Sequence, residues 1–301
     1  MANKIRITFL GTGDAIPSRD RNHTAILLNY EKENILFDCG EGTQRQFRKA
    51  GLNPCKINMI CISHWHGDHV LGLPGIFQTL ALSGYKKTLK IYGPRGTRDY
   101  IRELFKVFNF ANEIKLDVKE IDKAKFFEDK DFYLEAERMS HGSPCNAYIF
   151  VKKGKRKIDK KKLLKSKLPA GPLLSRLKEG KDIIYQGKKF KAKNLTFMEN
   201  EKKISFVFDT NYNDRIIPFA ENSDLLVMES SFGSELEERA KEYKHMTAKQ
   251  DAEIAKKARA KKLVLIHISQ RYDKDKKKIL NDAKRIFKNS VIVKDLDVLE
   301  I

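Results

Sequence analysis

Six consecutive residues, His64-Trp65-His66-Gly67-Asp68-His69, restrict the possible folds of this chain more than any other stretch. Four of their side chains are strong divalent-metal ligands, and a metal held by them needs further donors that only a long-range fold can deliver. The six follow an apolar run, Ile57-Asn58-Met59-Ile60-Cys61-Ile62, which is expected to form a buried strand. The ligands would then project from the C-terminal tip of that strand. Residues two apart in an extended chain point the same way, so His64 and His66 can share one metal. Asp68 and His69, beyond a bend expected at Gly67, would face a second.

The remaining donors lie far along the chain. His141 follows an extended segment at 132–136, His267 belongs to a predicted buried strand at 262–269, and Asp209 ends another that begins at Lys203. Two zinc ions, each wanting three protein ligands and a water, suit this set. His64, His66 and His141 would serve one ion and Asp68, His69 and His267 the other, with the carboxylate of Asp209 between them. Further strands are expected at 5–10, 24–30, 34–38, 89–92, 115–121, 224–229 and 291–293. One helix is expected to run to Gly51 from a capping box of Thr43 with Gln46, and another to about Ala260 from a box of Thr247 with Gln250. Others are expected after Pro74, over 98–108 and over 274–288. Strands and helices alternate with reactive side chains at strand ends, which predicts an open, layered α/β fold whose loops converge on one edge.

Charge is distributed unevenly. The 301 residues carry 60 Lys and Arg against 40 Asp and Glu, a net +20. Residues 152–193 alone hold 17 Lys and Arg against 3 Asp and Glu, a net +14. A uniformly basic surface does not explain that concentration, and charge this dense is expected to oppose a packed core and to favour a projecting, flexible arm. A basic arm suits an acidic partner, most simply nucleic acid. The four cysteines show no paired spacing and the N-terminus does not resemble a secretion signal, so free thiols in a reducing cytoplasm are expected. No apolar stretch approaches membrane-spanning length.

The H-x-H-x-D-H pattern with a later His, Asp and His resembles the metallo-β-lactamase superfamily, and the wider chain resembles its ribonuclease Z family. The likeness rests on Phe9-Leu-Gly-Thr-Gly13; on Pro17-Ser-Arg-Asp-Arg-Asn22, with Arg19 where that family has lysine; and on Asp38-Cys-Gly-Glu-Gly-Thr-Gln44. It continues through Ser63 to His69, Gly171-Pro172, His245-Met-Thr-Ala248 and His267-Ile-Ser-Gln-Arg-Tyr272. The family's H-E-A-T element stands here as Met228-Glu229-Ser230-Ser231, which keeps the glutamate and lacks the histidine. The resemblance implies a single domain over 1–301, a four-layer αββα sandwich with two metals at one edge, and a basic arm at 152–193 that binds tRNA. It implies a cytoplasmic homodimer that cuts the 3′ trailer from precursor tRNA, leaving a 3′-hydroxyl on the tRNA and a 5′-phosphate on the trailer. Arg19, Arg21, Asn22, Gly171 and Pro172 are the expected RNA contacts.

Two metals about 3.5–4 Å apart can turn a shared water into hydroxide near neutral pH and hold the non-bridging phosphate oxygens. Asp68 would orient that hydroxide and accept its proton. His245, held by Glu229, is the candidate donor to the leaving 3′-oxygen. Two rival readings share parts of this pattern: a small-molecule hydrolase with the same ligands, and a basic RNA-binding protein whose ligands no longer serve catalysis. Excising 152–193 is expected to raise KM for precursor tRNA steeply while sparing a small phosphodiester; equal loss on both substrates would count against a substrate-holding arm.

Overall fold

The computed structural model describes residues 4–110 and 113–301. Met1 to Asn3, the start of the N-terminus that does not resemble a secretion signal, lie outside the described residues. Two compact units are present, the larger comprising Met1–Phe127, Leu134–Phe150 and Lys203–Ile301.

Two seven-stranded sheets organise the larger unit. The first runs in the order β18 (Val298–Glu300), β1 (Ile5–Gly11), β2 (Ala25–Tyr30), β3 (Glu33–Phe37), β4 (Met59–Cys61), β5 (Leu89–Gly93) and β6 (Leu116–Glu120). The second runs β17 (Ser290–Ile292), β16 (Leu263–Ile266), β15 (Leu225–Glu229), β14 (Lys202–Val207), β9 (Pro144–Lys152), β8 (Phe132–Ser140) and β7 (Ala124–Glu128). β3 to β6 pair in parallel, as do β14 to β17. Parallel strands are covered on both faces, which is why Leu263-Val264-Leu265-Ile266 is apolar and buried at every position.

Side-chain alternation sorts each strand between two layers. Leu36 and Ile60 pack with Phe47 of α1 (Thr43–Lys49), Phe77 of α3 (Leu73–Leu82) and Ile101 of α4 (Thr97–Val107). Leu226, Met228 and Leu265 pack with Ile216 of α8 (Ile216–Ala220), Ala252 of α10 (Ala248–Lys257) and Ile279 of α11 (Lys276–Ile286). Between the sheets, Phe37 stacks on Phe206 with ring centroids 4.1 Å apart, and the Tyr148 hydroxyl donates to the carbonyl of Ile62 at 2.6 Å. The result is the αββα sandwich that the resemblance implies. The Thr247–Gln250 capping box forms in both directions.

Several local expectations give way to tertiary contacts. α1 has no capping box: its N-cap is Gly42 at φ 78°, Thr43 Oγ1 donates to Gly40 O, and Gln46 Nε2 donates to Asp295 and Leu10. The Thr43 hydroxyl turns back to the preceding loop, and Gln46 takes partners far along the chain instead of the helix end. Gly67 makes no left-handed bend; it opens a helical turn, α2 (Gly67–Val70), straight after extended His66. Strands β7, β9 and β18 have no counterpart in the sequence reading, because β7 and β18 lack a buried alternating pattern and β9 is buried along most of its length.

The second unit comprises Glu128–Tyr133 and Val151–Lys202. Here the expectation that charge density opposes a packed core does not hold. Leu168, Leu177, Ile183, Phe190, Ala192 and Leu195 form a buried cluster. Around them lie hairpin β11 (Ile183–Tyr185) to β12 (Lys188–Phe190), pair β10 (Arg156–Ile158) with β13 (Thr196–Met198), and helices α5 (Lys160–Ser166), α6 (Leu173–Lys178) and α7 (Ala192–Leu195). Lysines on stretches this short can cover apolar surface with their stems while their ammonium groups stay in water. The few carboxylates are shared: Glu199 pairs with Lys152 at 3.1 Å and Lys157 at 2.6 Å.

Replacing Phe206 by Ala removes the centre of the inter-sheet aromatic layer and is expected to cost about 3–5 kcal/mol. Urea denaturation measures it, and a loss below about 1 kcal/mol would show that the stack contributes little.

Candidate metal centre

Five strand ends deliver the site. His64 and His66 follow β4, His69 sits on α2, His141 follows β8, Asp209 follows β14, Glu229 ends β15 and His267 follows β16. Six imidazoles close a ring. Neighbouring centroids lie 4.5 Å apart for His64–His66, 4.9 Å for His66–His141, 4.9 Å for His141–His245, 5.5 Å for His245–His267, 5.3 Å for His267–His69 and 4.2 Å for His69–His64. Asp209 reaches five of them: its carboxylate lies 3.3 Å from His69 and His267, 3.8 Å from His141, 3.9 Å from His64 and 4.0 Å from His245. Asp68 lies 3.2 Å from both His69 and His267.

Three donor groups follow from these distances: His64 with His66 and His141, Asp68 with His69, Asp209 and His267, and Asp209 with Glu229, His245 and His267; the first two match the expected ligand sets. The structure passes a simple test of fit to metal. His64 Nε2, His69 Nε2 and Asp209 Oδ1 are buried without a hydrogen-bond partner. Leaving such atoms unpaired costs about 1–3 kcal/mol each, a cost that a shared cation removes. The opposite ring nitrogens are held by protein. His69 Nδ1 meets Asp38 Oδ2 at 2.7 Å, His64 Nδ1 meets Ser63 Oγ at 3.0 Å, His141 Nδ1 meets the Lys244 carbonyl at 2.8 Å, and His267 Nδ1 meets Ser231 Oγ at 2.7 Å. Such outer partners fix the tautomer and aim the free nitrogen inward. Asp38 and His267 are both held at φ 54°, a left-handed conformation unusual outside glycine, here imposed at two site residues.

Electrostatics tie the groups together. Burial would raise the pKa of Asp209, but His267, His69 and His245 outweigh it and hold the carboxyl well below the usual range. Asp68 is likewise held low by His69 and His267 against the cost of burial. Burial, reinforced by the charge of His69, lowers His64, which suits a ligand that must be neutral. Burial alone would lower His245 too, yet Glu229 and Asp209 raise it to about 9. Its Nδ1 donates to Glu229 Oε1 at 2.9 Å. Glu229 also accepts from the backbone of Thr210, Ser231 and Met246, so it is a fixed anchor for His245.

The expected RNA contacts have separate fates. Arg21 is buried, and its guanidinium donates to Thr12 Oγ1 at 2.6 Å and to the Val293 carbonyl at 3.0 Å, so it is not presented to a phosphate. Asn22 donates its backbone N–H to Asp295 at 2.7 Å and its side chain to the Glu41 carbonyl, which also makes it a loop anchor. Arg19 is exposed, as are Gly171 and Pro172 at the start of α6 in the smaller unit. His23, left without a role by the sequence, is buried with Nε2 3.3 Å from the Ala15 carbonyl. The sequence reasoning passed over Asp38, Ser63 and Ser231 as partners of ligands. All three stood inside stretches already singled out, but only a fold shows which ring each one holds.

Ribonuclease Z from Methanosarcina acetivorans is 37% identical to this chain over 300 residues, covering 99% of it and 98% of that protein. The chain belongs to the ribonuclease Z family. Ribonuclease Z from Listeria welshimeri is 38% identical over 304 residues, covering 99% of each. Human tRNase Z, short form, superposes with a TM-score of 0.72 at 28% identity, over 98% of both chains. The metallo-β-lactamase fold protein YhfI from Bacillus subtilis gives the same TM-score at 18% identity, over 99% of this chain and 100% of that one, and supports the fold alone. A family model described as anti-Pycsar protein Apyc1 matches residues 5–142. As a member of the ribonuclease Z family the chain is a hydrolase, an endoribonuclease, and its His and Asp clusters could hold metal. Among the described residues no helix is long and apolar enough to cross a membrane.

Asp38 is the sharpest handle on the centre. Asp38→Asn keeps the shape but weakens the hold on His69, and metal affinity is expected to fall about 10–100-fold. Competition with a chelator reads this directly; unchanged affinity would remove Asp38 from the outer shell.

Proposed function

We propose that this chain is a two-zinc endoribonuclease that removes the 3′ trailer from precursor tRNA, leaving a 3′-hydroxyl on the tRNA and a 5′-phosphate on the trailer. It acts as a cytoplasmic homodimer in which the basic unit of one protomer steadies the tRNA cut by the other. The observation that carries the reading is the Glu229–His245 pair on the ring of ligands, 2.9 Å apart, with the second nitrogen of His245 left for a leaving group. Family membership, the net +14 of residues 152–193 and the two ligand groups support it.

His64, His66 and His141 would hold one zinc, and Asp68, His69 and His267 the other, with Asp209 reaching both. Bound there, the ions supply positive charge for the phosphate and lower the pKa of a water. The chain's own groups do the rest. Asp68, beside His69 and His267, orients the attacking water and accepts its proton. His245 gives a proton to the ribose 3′-oxygen, a poor leaving group without one, and Glu229 fixes the ring at that task. Lysines and exposed Arg19 grip phosphates without reading sequence, so affinity rests on charge and shape.

The test is to incubate the protein with end-labelled precursor tRNA and map the new 3′ end. His245→Ala is expected to lower kcat about 10²–10⁴-fold while bound zinc stays at two per chain. Less than about one zinc per chain with no cleavage would favour a non-catalytic RNA-binding protein. Cleavage confined to small phosphodiesters or esters would favour a small-molecule hydrolase.

A further inference from the structure

Two cavities border the ligand ring and share no lining residue. One, of about 530 Å³, is lined by His245 and His267 together with Phe232, Tyr243, Arg239 and Arg271. The other, of about 620 Å³, opens on His141 and is lined by Arg138, Ser140, Gly142, Ser143, Asn213 and Arg215 among others. No carboxylate is among the residues lining this second cavity. The Ser143 hydroxyl is buried without a hydrogen-bond partner. A side chain at Gly142 would collide with the ammonium of Lys244, so Lys244 lies across the cavity's edge at Gly142. Arg138 also reaches Asp122 at 3.8 Å, an exposed pair that contributes little.

Three cations and an unsatisfied hydroxyl beside a metal ligand form a site for an anion. Its place on the RNA follows from the reading above, on which this inference rests. His245 protonates the leaving 3′-oxygen, so the nucleotide that keeps that oxygen belongs with the cavity His245 lines. The cavity on the His141 flank is left for the other product. We propose that it seats the phosphate following the first trailer nucleotide, held by Arg138, Arg215 and Lys244. The chain would thus grip the trailer one phosphate beyond the scissile bond, whatever base stands there.

Two precursor tRNAs test this, both with a one-nucleotide trailer, one ending in a 3′-hydroxyl and the other in a 3′-phosphate. They differ only in the group the cavity would hold. In low salt the zinc-loaded protein is expected to cut the phosphate-ended substrate with kcat/KM about tenfold higher, as one charge-assisted contact provides. In an Arg138→Ala, Arg215→Ala double variant that ratio is expected to fall to within about twofold of one. The Lys244→Ala variant, altered at an exposed side chain, carries the same test should the double variant fail to fold. A wild-type ratio near one, or a ratio that survives in the variants, overturns the proposal and leaves the endonuclease reading standing. A wild type that cuts neither substrate removes both.

Discussion

The attraction between one buried carboxylate, Asp209, and the imidazoles that surround it sets the terms for the rest of the molecule. The ring draws His64, His66 and His69 from the first sheet and His141, Asp209 and His267 from the second, so it exists only while both sheets present their strand ends at one edge. Asp209 and Asp68 are held low, and His69 and His267 are pushed up by Asp209 and Asp68 against the cost of burial, while burial lowers His64 and His141. Metal and protons therefore compete for one set of atoms. Such a dense set of ionisable groups needs a rigid frame, and the stacked Phe37 and Phe206 with the Tyr148 to Ile62 hydrogen bond tie the two sheets together.

Outside the ring, four of the imidazoles, those of His69, His64, His267 and His141, are held by partners on their outward side. Asp38, Ser63, Ser231 and the Lys244 carbonyl occupy the nitrogens that face away from the centre. The departure at Met228 fits this arrangement. Met228 points into the apolar layer with Leu226 and Ala252, where a histidine would need a partner, while Glu229, one residue on, turns to the site. Ser231, two residues beyond Glu229, bonds both Glu229 and His267 and so links the partner of His245 to the neighbouring ring.

The smaller unit shows how composition misleads. A stretch with a net charge of +14 has the statistics of a solvated tail, yet a few spaced Leu, Ile, Phe and Ala side chains close a core of their own. Net charge sums over all positions, whereas folding depends on the few that meet. The Arg19-Asp20-Arg21-Asn22 loop misleads in the opposite direction. Arg21 has the chemistry of a phosphate ligand, but its guanidinium is buried inside the protein, with one nitrogen on Thr12 and the Val293 carbonyl.

Legibility followed the range of the interaction. The hexapeptide, the apolar strands before each ligand and the Thr247–Gln250 cap could be read because their physics lies within a few residues. The failed Thr43–Gln46 cap and the strand Val298–Glu300 could not, because partners hundreds of residues away from Gln46 and from that strand decide them. By itself the sequence determined which side chains can bind metal, that they sit at strand ends, and where the positive charge is gathered. Only the tertiary structure decided that these ends meet around Asp209, which nitrogen of a ring faces inward, and which arginines stay exposed, since each depends on distances the linear chain does not contain.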